Sequence, residues 1–163
     1  MQNWNQVGVS ALVSGTIASV ASSVALGLLA KAEGKSAPRP VNATSHWLHG
    51  EGAANVQGVD AAHTGTGYLT HHGACVMWAS VMESILARRA NVSSSDIALT
   101  AAGVSVLAAA VDYGITPKRF TPGWEEVLTK NSIAGVYIAM AAGLTIGGLV
   151  TANMIPGSSA NRR

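Results

Sequence analysis

Residues 7–30, VGVSALVSGTIASVASSVALGLLA, decide the fold because they form a long apolar stretch without one charged side chain. A helix needs about 20 apolar residues to cross the hydrocarbon core of a bilayer. The stretch is therefore predicted to be a transmembrane α-helix. It is longer than a signal-peptide core of about 7–15 residues, and residues 1–6 contain no Lys or Arg. We therefore expect a retained helix, although residues 30–32 resemble a cleavage site.

Three further stretches have a similar length and few charges, residues 65–87, 94–113 and 132–154. The first of these is the least apolar, because it carries His71, His72 and Glu83. Glu83 lies near Arg88 at the end of its stretch and is expected to be an interfacial carboxylate. The sequence thus predicts an all-α fold, an integral membrane four-helix bundle that forms a single domain over residues 1–163.

The ends of the last two stretches carry recognisable signals. Ser93 and Asp96 have the spacing of a capping box, which predicts a helix start. Asp112 and Gly114 are expected to end this helix, and Pro156, followed by a glycine, to end the next.

The long connections are the other candidate location for function. In the third connection Thr121 and Pro122 precede two acidic residues, a pattern typical of a helix start. We expect a short interfacial helix here, with Trp124 at the level of the lipid headgroups.

Composition agrees with a membrane location. Of the 163 residues 48% are hydrophobic and 11% charged, whereas about 25% are charged in an ordinary soluble domain. The net charge is only +2 and the basic residues are dispersed, so nucleic acid is not an expected partner. Cys75 is the one cysteine, so no internal disulfide can form.

The distribution of basic residues favours both termini outside the cell by a narrow margin. Six basic residues lie in the first and third connections, and four lie in the second connection and the carboxyl terminus, namely Arg88, Arg89, Arg162 and Arg163.

Small residues predict where the helices approach closely. Every fourth position of the first helix is small, at Gly15, Ser19, Ser23 and Gly27. Gly143 and Gly147 repeat this spacing in the last helix. Such stripes serve packing within one chain or an interface in a homo-oligomer, and the sequence leaves both open. Ser22 points about 100° away from Ser23 and is expected outside the stripe.

Residues 112–125, DYGITPKRFTPGWE, and the following apolar span with Val136-Tyr137 and Gly143-Leu144 resemble a group of small bacterial inner-membrane proteins of unknown function. The resemblance implies four helices and a multi-pass location in the bacterial inner (plasma) membrane. It implies no catalytic or binding residues.

The main functional signal is the concentration of all five histidines in one short segment, at His46, His49, His63, His71 and His72. These five are the candidate cofactor-binding residues. The adjacent His71 and His72 point about 100° apart on a helix and are expected to face different neighbours. A competing interpretation is that they only form hydrogen bonds with hydroxyls of neighbouring helices.

A transition metal such as copper or zinc is one candidate ligand. His71 and Cys75 lie four residues apart and would offer an imidazole and a thiolate. Asp60 and His63, three residues apart where the second helix begins, are the other candidate metal ligands.

Haem b is the second candidate cofactor, because it is held by single histidines within helix bundles. The other three predicted helices contain no histidine. A second axial imidazole would have to come from His46, His49 or His63, or from another subunit.

The sequence favours a non-enzymatic accessory or scaffolding protein in a homo-oligomer or a larger membrane complex. The alternative is a haem- or metal-binding membrane protein. A transporter or channel is a weaker hypothesis. An enzyme is disfavoured because the chain lacks P-loop, CxxC, HExxH and nucleophile-elbow motifs, and no catalytic residue is predicted.

Overall fold

The computed structural model describes residues 4–154, and all regular structure in this range is helical. Six α-helices follow each other along the chain, α1 (Trp4–Ala32), α2 (Arg39–Ala43), α3 (His46–His49), α4 (Thr66–Ala87), α5 (Ser94–Gly114) and α6 (Lys130–Met154). Single turns of other helix types lie between them, three 3₁₀ turns at Glu51–Asn55, Lys118–Phe120 and Trp124–Glu126 and a π turn at Ala61–Gly65.

The four long helices α1, α4, α5 and α6 coincide with the four predicted stretches, and their ends differ by at most three residues. Over residues 4–154, three of them, α1, α5 and α6, are long and apolar enough to cross a membrane. Helix α4 is not among these three helices because it carries more polar side chains. Pro156, the expected end signal of α6, lies outside the described residues, as do Arg162 and Arg163.

The capping box at the start of α5 is confirmed. Ser93 Oγ accepts a hydrogen bond from the Asp96 backbone N–H at 3.1 Å, and Asp96 Oδ2 accepts one from the Ser93 N–H at 2.9 Å. Arg89 donates to the other carboxylate oxygen at 2.8 Å. The local sequence signal therefore sets this helix start, and Gly114 is the last residue of the helix.

Helix α1 packs against both α4 and α6, and α5 packs against α6 and α4. A Cβ atom at Gly147 of α6 would lie 2.4 Å from Ser14 Cα, and one at Gly15 of α1 would lie 2.5 Å from Val76 Cα. Gly143 approaches α1 in the same way. These glycines therefore permit close helix packing within the chain. This agrees with the first of the two interpretations given for the stripes of small residues.

The face of α1 that meets other helices is wider than one stripe. Ser22, expected outside it, is completely buried (0% exposed), so that expectation is wrong. Ser23 is only partly buried, and Gly27 approaches Ala37 of the first connection instead of a long helix. The cause is that α1 contacts α4 and α6 with two adjacent faces, and Ser22 lies on the face towards α4.

The first and third connections fold together over one end of the long helices, and we call residues 33–65 and 115–129 the cap. Nε2 of His46 lies 2.9 Å from the carbonyl oxygen of Thr121. Trp124 Nε1 donates to Thr44 Oγ1 at 3.0 Å. The two connections therefore lie at the same end of the helices.

The short interfacial helix expected near Trp124 is absent. The segment forms one 3₁₀ turn, and Trp124 is 3% exposed instead of lying at a headgroup surface. Gly123 precedes it with φ of 78°, a left-handed conformation that glycine adopts without a steric penalty. A Cβ atom at Gly123 would lie 2.7 Å from the carbonyl oxygen of Ala43. This turn directs the Trp124 side chain inward between the helices.

Glu33 ties the end of α1 to the start of α6. Its carboxylate accepts hydrogen bonds from Ser132 Oγ at 2.5 Å and Thr129 Oγ1 at 2.7 Å, and Lys35 Nζ lies 2.8 Å from it. Donation by Lys35, then by Ser132 and Thr129, lowers the pKa of Glu33 to about 2. Hydrogen bonds to the charged form of a carboxyl group have this effect.

Candidate functional site

A cleft of about 290 Å³ opens at the capped end between α4, α5, α6 and the cap. We call it the cap cleft. Aromatic side chains form much of its wall, namely Trp47, Trp78, Phe120, Trp124 and Tyr137. Besides Tyr137, the ionisable groups that share this lining are His71, Cys75 and Asp112. A mostly apolar wall with a few polar groups is typical of a small-molecule site.

His71 lines the cap cleft from α4 and is 6% exposed. Its Nε2 lies 2.7 Å from Ser22 Oγ and 3.6 Å from Cys75 Sγ. The Ser22 hydroxyl also donates to the carbonyl oxygen of Ala18 at 2.7 Å, so its oxygen is free to accept from His71 Nε2–H. In this assignment Nδ1 of His71 keeps its lone pair, and it forms no hydrogen bond within residues 4–154.

His72 also contacts α1. Its Nδ1 lies 2.9 Å from Ser19 Oγ, and its ring stacks on Tyr68 with 6.0 Å between centroids. The expectation that His71 and His72 face different neighbours is therefore wrong. The two side chains diverge around α4, but α1 lies across the edge between them and reaches both with serines one turn apart.

Glu83 is buried as well, at 3% exposed, so its interpretation as an interfacial carboxylate is wrong. It accepts a hydrogen bond from Ser14 Oγ at 2.6 Å. Three serines of α1 thus meet three polar side chains of α4, and we call this set the serine ladder, Ser14–Glu83, Ser19–His72 and Ser22–His71. The close approach of the two backbones at Gly15 brings these short hydroxyl side chains within reach.

Asp112 and Tyr137 form the second polar pair of the cap cleft. Tyr137 donates from its hydroxyl to Asp112 Oδ2 at 2.6 Å, and its ring lies 5.7 Å from that of Trp124. Asp112 Oδ1 forms no hydrogen bond, and Asp112 no ion pair, with any residue between positions 4 and 154. Sequence reasoning treated Asp112 only as a helix stop. Its place at the end of an apolar span, where a carboxylate is costly, was the available signal.

Two of the remaining histidines are held by backbone carbonyl groups of the cap. Nε2 of His46 faces Thr121 O at 2.9 Å, and Nε2 of His49 faces Ala62 O at 3.1 Å. A carbonyl oxygen can only accept, so both nitrogens carry a proton. Neither nitrogen is free to bind a metal or haem iron.

His63 belongs to the start of the π turn. The Asp60 carboxylate accepts from the His63 backbone N–H at 2.6 Å and lies 3.0 Å from its ring Nδ1. The backbone N–H and then the ring of His63 lower the pKa of Asp60. The hydrogen bond from the His63 backbone to Asp60 closes the start of the π turn, and this local role explains why the two residues lie three positions apart. The ring of His49 lies 4.8 Å from that of His63.

The predicted metal ligands therefore form two separate pairs. His71 and Cys75 line the cap cleft, whereas Asp60 precedes the π turn and His63 lies within it. In the part of the chain that the structure describes, no three His, Cys, Asp or Glu side chains converge to hold a metal ion. The five histidines are divided among the cleft, the serine ladder and the cap.

Comparisons of the chain with protein families, with curated proteins and with solved structures found no match.

Proposed function

We propose that this protein is a non-enzymatic accessory or scaffolding subunit of the bacterial inner membrane, in which its four long helices form a transmembrane bundle. The bacterial location rests on the resemblance of residues 112–125 and the apolar span after them. The membrane location rests on α1, α5 and α6, which are long and apolar enough to span.

The observation that carries the proposal is the inverted polarity of α4. Its exposed large side chains are apolar, at Leu69, Met77 and Ile85, whereas His71 and Glu83 are buried against α1. A soluble protein exposes its charged groups to water and buries apolar ones. In a bilayer each polar group needs a partner inside the protein, and the serine ladder supplies those partners.

The scaffolding role is supported by the surface of α5. Its outward face combines small and apolar residues, among them Ala102, Gly103 and Leu107, all exposed. A Cβ atom added at Gly103 would meet nothing within 4 Å. Small residues on a lipid-facing helix permit close approach of another helix, so this face is suited to a second copy or a partner subunit.

The oligomeric state of the detergent-purified protein tests this role. We expect a defined dimer or larger assembly by light scattering, and we expect Gly103→Leu to weaken it. Gly8→Leu is the matched control, because a Cβ atom at Gly8 also meets nothing within 4 Å but lies on α1. A monomer at every ratio of protein to detergent would contradict the proposal.

The alternative, a haem or metal protein using the histidines, gains no support from the described residues. Within residues 4–154 the ring contact of His71 is with Trp124, not with a second imidazole, and one ring nitrogen each of His46, His49 and His63 is engaged in the cap. A visible absorption spectrum and metal analysis of the purified protein distinguish the two functions. A haem spectrum or one metal ion per chain would favour the alternative.

A further inference from the structure

We infer that the cap cleft is a binding site for a small organic ammonium ion with an apolar or aromatic body. The inference goes beyond the scaffolding role and does not depend on the oligomeric state. It follows from three properties of the cleft, namely its walls, its hydrogen-bonding groups and its charge.

The walls of the cleft offer aromatic ring faces. Trp78, Trp124 and Tyr137 are buried, and Phe120 lines the cleft while remaining 61% exposed. Cations bind to the faces of such rings, and Trp is the most effective of them. A volume of about 290 Å³ is close to the lower end of the size range of ligand sites, so the expected ligand is small.

Most of the strong hydrogen-bond donors of the wall are already engaged within the protein. Trp47 Nε1 donates to Thr70 Oγ1 at 3.1 Å, and Trp124 Nε1 donates to Thr44 Oγ1 at 3.0 Å. The Tyr137 hydroxyl donates to Asp112. Among the indole and phenol groups of the wall, only the Trp78 N–H has no hydrogen bond within residues 4–154. A ligand that needs several donors, such as a carboxylate, therefore finds few of them in the cleft.

Two further polar atoms of the cleft have no partner among the described residues, and both are acceptors. Asp112 Oδ1 and His71 Nδ1 form no hydrogen bond within residues 4–154, and both side chains line the cleft. In the described part of the chain, neither Lys nor Arg is among the lining residues. A partly buried carboxylate without a cationic partner is costly, and an ammonium ion would supply both the charge and the N–H donors.

The test uses 2-phenylethylammonium and its neutral analogue 2-phenylethanol, with the full chain in detergent micelles at pH 7. Binding is followed by tryptophan fluorescence, and the response of empty micelles with free tryptophan is subtracted. We expect saturable binding of the ammonium ion, about tenfold tighter than that of the alcohol. Equal binding of both compounds, or no saturable binding of the ammonium ion at millimolar concentration, would overturn the inference.

Two variants locate the site. Asp112→Asn should remove the preference for the cation, whereas Glu126→Gln, which removes an exposed carboxylate outside the cap cleft, should retain it. Phe120→Leu changes a ring that is largely exposed and should weaken cation binding by about two- to fivefold. If Asp112→Asn fails to fold, the Phe120 variant and the wild-type preference still decide. An unchanged preference in Asp112→Asn, or an unchanged affinity of Phe120→Leu for the ammonium ion, would refute the site.

Discussion

Ser22 Oγ of α1 lies 2.7 Å from Nε2 of His71 on α4, and both side chains are buried. The neighbouring Ser23 has a buried hydroxyl without a hydrogen-bond partner among residues 4–154. Two adjacent serines on one helix therefore differ in hydrogen bonding as well as in burial. One satisfies a polar group of another helix, and the other does not.

Ser22→Ala should lower the free energy of unfolding by about 1 kcal/mol, because it leaves His71 Nε2 without its oxygen partner. Ser23→Ala is the matched control and should cost little or slightly stabilise the protein, since it removes a buried unpaired hydroxyl. Thermal or denaturant unfolding in detergent measures both. Equal losses in the two variants would mean that the serine ladder does not stabilise the fold.

Gly147→Ala should destabilise the contact between α1 and α6. The added Cβ atom would lie 2.4 Å from Ser14 Cα, and two helix backbones must separate to admit it. Gly8→Ala, on an open face of α1, should instead be neutral or stabilise by up to about 1 kcal/mol, because alanine is the better helix former. The same unfolding assay compares them, and a tolerated Gly147→Ala would contradict the close packing.

Stability at low pH should depend on Glu33. Its pKa is lowered from 4.5 to about 2 in the folded state, so its contribution is complete above pH 4.5 and is lost as the pH falls towards 2. Between pH 7 and pH 3 the unfolding midpoint of wild type should therefore fall further than that of Glu33→Gln. If the unfolding midpoints of wild type and Glu33→Gln fall in parallel with pH, the contacts with Lys35, Ser132 and Thr129 do not stabilise the charged carboxylate of Glu33.

The positions of the long helices were predictable because each depends on local signals. An uninterrupted apolar run defines α1, and the capping box of Ser93 and Asp96 defines the start of α5. The pairing of side chains between helices was not predictable to the same extent. The environments of Ser22, His72 and Glu83 were each predicted wrongly. They depend on how α1 lies across α4, and the spacing of residues along one helix does not determine that packing.

The candidate site, too, was predictable only where it depends on local sequence spacing. The spacing of His71 and Cys75 predicts that they share one face of a helix. The structure confirms this, with 3.6 Å between His71 Nε2 and Cys75 Sγ. The cap cleft itself depends on contacts between residues far apart in sequence, such as Trp124 with Thr44 and Tyr137 with Asp112. The inward position of Trp124 follows from the left-handed turn at Gly123, and an isolated Pro-Gly-Trp sequence does not distinguish it from a headgroup position.

The most direct test of the account is to determine on which side of the membrane each connection lies. Single cysteines at Val59, Lys118 and Ala90, all exposed, are labelled in intact cells and in inverted vesicles with a membrane-impermeant thiol reagent. Wild type is the control, because its one cysteine, Cys75, is buried. Since the first and third connections form one cap, we expect labelling at 59 and 118 from one side and at 90 from the other. Labelling of all three positions from the same side would mean that α4 and α5 do not cross separately, and would contradict the four-span bundle.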